Sequence, residues 1–275
     1  MKYGNYLAVT CGLSLAFSQS SLAQSAPEAQ PPARGIVFPK SGSADPVANE
    51  GVVDDNAVDA LKDMSEFLMT AKTLEITSKG TMDVVTANGQ RIQLDGTTNY
   101  KVRRPGFVID YDSDRKSRRF IYDGKTFTVY SPKLGFYASA PAPSTNREAL
   151  DTIYKKFGIA LPLEDLFRWG EGESAARLQK LQSAYEVGVA TLDGVPTDHY
   201  AFRQADVDWE VWIQQGDQPF PLKLVIVDRT DPARPTFSAR LTWKMNPTFA
   251  DSDFTFVPDA NAKQIQLATY QEAGE

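Results

Sequence analysis

The chain has one cysteine and one histidine in 275 residues. A single thiol closes no internal disulfide, and one histidine with one thiol leaves a zinc site to be built mostly from carboxylates. A Ser-His-Asp site would have to use His199, with Asp198 or another acid as orienter, and no Gly-x-Ser-x-Gly elbow presents a serine. Phosphate-cradling and dinucleotide glycine patterns are also missing. Basic charge is in short supply: 29 Lys+Arg stand against 35 Asp+Glu, a net charge of −6. That argues against a nucleic-acid surface. The mostly apolar run Leu7–Phe17 falls well short of the ~20 residues a membrane span needs.

What is present begins with an export signal. Lys2, the run Leu7–Phe17 and the small-x-small site Ser21-Leu22-Ala23 before Gln24 read as a secretory signal peptide over residues 1–23. Cys11 lies inside the apolar run, and Ala8-Val9-Thr10 lacks the leucine-led pattern of a lipidation site. Cleavage after Ala23 removes Cys11 and leaves a mature chain with no thiol. It also removes Lys2, taking 29 basic residues to 28 against 35 acidic ones, a net charge of −7. The expected location is the periplasm. Residues 24–53 hold Pro27, Pro31, Pro32, Pro39 and Pro46 among Ala, Ser and Gly, a flexible linker.

A single domain is expected over 54–270. Val58, Leu61, Met64, Phe67, Leu68 and Ala71 recur at helical spacing behind a cap at Asp54 or Asp55, predicting a helix over 55–71. Period-two alternation then predicts six strands, 74–86, 91–102, 107–113, 118–123, 126–131 and 136–139. Ile92, Leu94, Thr98, Tyr100 and Val102 share one face of the second. Asn88-Gly89 between the first two marks a hairpin in which both turn positions take φ > 0. A helical insert follows at about 146–184, with helices at 146–157 behind Thr145, at 161–169 with Pro162 at its start, and at 174–184. Five more strands are read at 185–191, 195–203, 207–214, 221–228 and 235–245, with a turn at Asp193-Gly194. The class is α+β, mainly β. Eleven antiparallel strands curl under their own twist, so an open half-barrel with a helical lid is expected.

Little catalytic chemistry stands out. Asp110-Tyr-Asp112-Ser-Asp114 resembles the start of a calcium loop, but Arg115 and Ile121 occupy the positions where Gly and Glu are required. Arg103, Arg104, Arg115, Lys116, Arg118 and Arg119 form a candidate basic patch for an anionic headgroup. Glu164-Asp165 and Glu171-x-Glu173 are paired acids by type only. No metal or cofactor is expected, and the chain reads as a non-catalytic binder. The apolar strand and insert positions Phe127, Val129, Leu166, Phe167, Trp169, Trp209, Val211, Ile213, Leu222, Leu224, Ile226, Leu241 and Trp243 are the candidate lining of an apolar site. Trp212 and Tyr130 fall on the opposite faces of their strands.

Several segments carry a family resemblance: Arg104-Pro105-Gly106-Phe107, Tyr122-Asp123-Gly124-Lys125, Pro162-Leu163-Glu164-Asp165-Leu166-Phe167, Asp208-Trp209-Glu210-Val211-Trp212-Ile213, Pro221-Leu222-Lys223-Leu224-Val225-Ile226 and Phe254-Thr255-Phe256-Val257-Pro258. Their order over residues 54–268 resembles an uncharacterised family of predicted bacterial periplasmic proteins, itself similar to the LolA/LolB/LppX lipoprotein-carrier superfamily. The resemblance implies an open barrel of about eleven strands, a helical lid and an apolar cavity for acyl chains. A lipid or lipoprotein acyl chain is then the expected ligand. The alternative is an envelope sensor or scaffold that binds another protein through the concave face or the insert.

Overall fold

The computed structural model describes residues 52–159, 161 and 180–269. The expected signal peptide and nearly all of the linker lie outside the described residues, as do Leu166, Phe167 and Trp169 of the insert and the acidic pairs Glu164-Asp165 and Glu171-x-Glu173. The domain opens with α1 (Asp55–Met69), where Asp54 Oδ1 accepts the Asn56 N–H at 2.9 Å and caps the first turn. Ala57, Val58, Leu61, Met64 and Leu68 make its buried stripe. Six strands follow: β1 (Leu74–Val85), β2 (Arg91–Val102), β3 (Phe107–Ser113), β4 (Ser117–Tyr122), β5 (Thr126–Ser131) and β6 (Phe136–Pro141). Next comes α2 (Asn146–Phe157), capped by Thr145, whose Oγ1 accepts the Glu148 N–H at 3.2 Å, and closed by Gly158 at φ 64°. Then come β7 (Ser183–Leu192), β8 (Val195–Arg203), β9 (Val207–Gln214), β10 (Pro221–Asp228), β11 (Thr236–Met245) and the two-residue β12 (Lys263–Gln264).

All twelve strands lie in one sheet, ordered β12-β6-β5-β4-β3-β2-β1-β11-β10-β9-β8-β7. β1 sits in the middle. Its pairing with β11 joins two antiparallel meanders, β2–β6 and β7–β11. The sheet is open, with β12 and β7 at its two edges.

Three details depart from the sequence reading. The strand count is twelve because Lys263–Gln264 runs parallel beside Phe136–Tyr137, a backbone pairing that leaves no mark on side-chain pattern. Ser183 and Ala184, expected in a helix, begin β7: Ala184 donates to Val52 O at 2.9 Å and accepts from Asp54 N at 2.8 Å, so its backbone is tied to the start of the domain. The Asn88-Gly89 hairpin does form, but only Gly89 has a positive φ, 81°. The loop is wider than two residues, with Thr86 N donating to Gln90 O and Asn88 Oδ1 accepting from Gln90 N. The two-residue turn with both positions at positive φ occurs instead at Asp193-Gly194.

One face of the sheet carries α1 and α2. Cross-strand register places its apolar residues in rows. The row under the helices runs Met245, Leu74, Val102, Phe107, Tyr122, Phe127 and Ala140 across β11, β1, β2, β3, β4, β5 and β6. Beside it lies Trp243, Ile76, Tyr100, Ile109, Phe120, Val129 and Ala138. The core of the domain is this face together with the stripes of both helices.

The other face is covered over β3–β6 by the C-terminal segment. Phe254 is fully buried on Val108 and Ile121, with Phe249 and Phe256 around it. Lys101 reaches Asp253 at 2.6 Å, Arg103 pairs with Asp251, and the Tyr130 hydroxyl donates to Asp259.

Candidate functional site

Among the described residues, α1 and α2 do not cover the whole apolar face. Toward the β1–β2 hairpin tip a further row crosses six strands: Phe202, Trp209, Ile226, Phe237, Met82 and Leu94, each directly opposite the next. Phe202 and Trp209 are buried, stacked at 4.1 Å, while Ile226, Phe237, Met82 and Leu94 are half-exposed. Strand spacing of ~4.8 Å makes the row about 24 Å long. Alongside it lies a low row, Tyr200, Val211, Leu224, Ala239, Gly80 and Gly96. Its β11–β1–β2 part is Ala239, Gly80 and Gly96, and the absence of any side chain on Gly80 lets the Phe237 ring lie over it. A Cβ on Gly80 would stand 3.2 Å from that ring and 2.8 Å from Ser238 O. Tyr111 likewise overlies Gly96.

The face is electrostatically quiet. Burial pushes the Tyr100 hydroxyl far above the ordinary phenol range, with Thr98 offsetting a little of this. Burial, with Asp198 and Glu186 adding to it, pushes Tyr200 up to about 12. Both phenols stay neutral at physiological pH. A cation stands at the β4 side: Arg118 is opposite Tyr111 and is held by Ser117 O at 2.9 Å and Ser131 Oγ at 2.6 Å.

Most of the expected lining residues meet here. Phe127, Trp209, Val211, Ile213, Leu224 and Leu241 are buried in the core on this face, and Val129, Ile226 and Trp243 are half-buried against it. Phe127 and Leu224 pack with the helix stripes, so they belong to packed interior more than to open surface. Trp243 Nε1 donates to Pro221 O at 2.7 Å and its ring stacks on Phe220. Leu222 departs from the alternation: it falls at the register shift between Pro221 and Lys223, the extra residue of a bulge. Four row members are absent from the expected lining: Phe202, which the β8–β9 pairing sets beside Trp209, and Met82, Leu94 and Phe237. Strand alternation marks them as inward, but only the β1–β11 register places the last three beside Ile226.

Other expected clusters are dispersed. Arg103 lies over the Phe254 ring, Arg104 donates to Met69 O at 3.0 Å, Arg118 is on the apolar face, and Arg119 meets Asp110 at 3.3 Å. They form no single basic patch, because alternation sends neighbours to opposite faces. Of the calcium-like acids, Asp112 faces Lys133 at 3.4 Å and Asp114 accepts the Asp95 N–H at 3.1 Å. Among the described residues no group of three His, Cys, Asp or Glu is placed to hold a metal. His199 is on the outer face, stacked on Trp212 at 3.8 Å with Nε2 2.8 Å from Glu210. Lys223 lies over the same indole at 3.8 Å, and Trp212 is buried between His199 and Lys223 on the outer face. Tyr130 packs on Phe256. A hollow of about 600 Å³ on this outer face is lined by Lys79, Thr81, Asp95, Thr97, Asp112, Asp114, Ser238 and Arg240, with Gly80 and Gly96 at its floor. It is a polar concavity, and none of the expected lining residues contributes to it.

An open curled sheet with helices on its apolar face defines the class of open half-barrel domains. The chain belongs to the DUF2092 family of predicted periplasmic proteins, whose model matches residues 57–268. No curated protein sequence matches the chain. Among solved structures it is similar to an uncharacterised conserved protein from Thermus thermophilus, with 11% identity, a TM-score of 0.46, and coverage of 77% of this chain and 99% of that one. It is similar to the lipoprotein LppX of Mycobacterium tuberculosis at 12% identity and TM-score 0.44, over 71% of this chain and 98% of that one. A LolA superfamily protein from Nitrosomonas europaea matches at 10% identity and TM-score 0.33, over 73% and 97% respectively. No described helix is long and apolar enough to cross a membrane.

Proposed function

We propose that this protein is exported on its N-terminal leader, cleaved after Ala23, and binds the acyl chain of a lipid or lipoprotein along the row Phe202–Trp209–Ile226–Phe237–Met82–Leu94, without bond chemistry. The carrying observation is that row. It is apolar, continuous over six strands, buried at Phe202 and Trp209, partly exposed from Ile226 to Leu94, and free of ionised phenols. Its ~24 Å exceeds the ~15 Å that one leaflet's chains occupy in a bilayer core. Each methylene buried there contributes about 0.8 kcal/mol, so a long chain gains roughly 10 kcal/mol before ordering costs. Arg118 offers a cation to an anionic head at the β4 side.

The test uses protein purified from the envelope. Native mass spectrometry is expected to show a lipid adduct, and a fluorescent fatty acid is expected to bind. Met82→Lys and Ile226→Lys should weaken that binding about tenfold or more, since each puts a charge among apolar contacts that a chain would desolvate. Thr242→Lys, on the outer face, should leave it unchanged. A co-purified polypeptide with no lipid uptake would replace this reading with the protein-binding scaffold.

A further inference from the structure

β7 is the last strand of the sheet, and beyond Ala184 no strand adjoins it among the described residues. At Ala184 the edge is already taken by the chain itself, through the bonds to Val52 and Asp54. From Glu186 to Leu192 no described residue pairs with that edge. This stretch contains neither Lys nor Pro, and it carries Val187 and Val189 at 41% and 70% exposure, with a register shift between Glu186 and Gly188. The opposite edge is different: β12 lies along β6. A bare edge with exposed β-branched residues is a template for strand addition.

The chain that arrives at this edge carries an apolar block suited to it. Ile36-Val37-Phe38, between Gly35 and Pro39, is the one run of large apolar residues in 24–51. Two β-branched residues and an aromatic have high strand preference. Thirteen residues, 39–51, separate Phe38 from Val52. They span up to about 45 Å when extended, whereas Ala184 to Leu192 covers about 27 Å. The block therefore reaches any part of that edge, even after looping back.

We propose that Ile36-Val37-Phe38 adds to the sheet as a further strand on β7, covering Val187 and Val189. Pro39 then lies at the new outer edge, where a missing N–H is tolerated. The tail thereby occupies the surface that a second copy, or an extended segment of another protein, would otherwise take. The proposal is independent of what the apolar row binds.

Hydrogen exchange on the exported protein tests it. The triple variant Ile36→Ser, Val37→Ser, Phe38→Ser should exchange the amides of 187–191 about tenfold or more faster than the parent, with β1 and β2 unchanged and both proteins monomeric. Equal exchange in the two proteins overturns the proposal. So does protection that grows with protein concentration alongside a dimer in sedimentation velocity, which would assign the edge to a second copy. A thiol pair gives a second measurement in a Cys11→Ser background, where no native thiol competes. Val37→Cys with Val189→Cys should cross-link within the monomer, and Val37→Cys with Thr242→Cys should not. Equal yields from the two pairs would refute the docking.

Discussion

Gly80 and Gly96 face each other across β1 and β2, and neither has a positive φ. They are required for space, not for conformation. A Cβ at Gly80 meets backbone oxygen at 2.8 Å, which no side-chain rotation relieves, whereas at Gly96 the nearest atom is Asp112 O at 3.2 Å. Replacing Gly by Ala in a strand gains ~0.5–1 kcal/mol of chain entropy, while overpacking costs ~1–3 kcal/mol. Urea unfolding of Gly80→Ala should therefore show a net loss, and Gly96→Ala a change near zero. His199 makes a second residue-scale case. Its ring stacks on Trp212 and its Nε2 meets Glu210, both on the face away from the apolar row. His199→Ala should cost about 1 kcal/mol in stability from the lost stacking and the lost hydrogen bond. Fatty-acid binding should be unaffected; a specific loss of binding with normal folding would give this histidine a role the outer-face geometry does not predict.

At the scale of elements, the β8–β9 pair and the loop after β10 are joined by Asp208. Arg203 grips its carboxylate with two bonds at 2.6 and 2.9 Å, Arg234 adds one at 2.7 Å, and Arg229 stands at 3.6 Å. Burial acts to raise this carboxyl, but the guanidiniums of Arg203, Arg229 and Arg234 outweigh it and hold it below the usual range. A carboxyl lowered by folding stabilises the protein above its unfolded pKa, near 3.8, and loses that contribution as pH falls through the lower folded value. Asp208→Asn should thus cost about 1–2 kcal/mol at pH 7, and the gap from the parent should shrink steadily below pH 4. Thermal unfolding at pH 7 and pH 3 measures both ends; a pH-independent difference would mean that the side chain acts by packing and not by charge.

For the whole molecule, the proposed ligand makes stability depend on its concentration. A ligand bound only by the folded state at a hundred times its Kd adds about 2.7 kcal/mol, which for a domain of this size is a rise of roughly 5–10 °C in melting temperature. A long-chain fatty acid should produce that rise in the parent and much less in Ile226→Lys. No rise in either protein would count against an acyl chain as ligand. The same linkage predicts that delipidated protein melts lower than protein taken directly from the envelope.

Strand alternation, turn residues and helical periodicity are local properties, and they determined most of the elements: β3, β5, β8, β9, β10 and α2 lie where side-chain pattern puts them. The same local signals showed which residues point inward, because a strand's two faces follow from its period of two. Register is not local. That Ile226 stands opposite Phe237, and Phe237 opposite Met82, depends on β1 pairing with β11 across more than 150 residues of chain. The tertiary fold alone decided that Phe127 and Leu224 belong to the packed interior while Met82 and Leu94 stay partly exposed, since among the described residues α1 and α2 cover only part of the face. It also decided the outcome for Lys263–Gln264, whose pairing with β6 rests on backbone groups that every residue but proline carries. Pattern specifies a face; only docking specifies which part of that face remains unfilled.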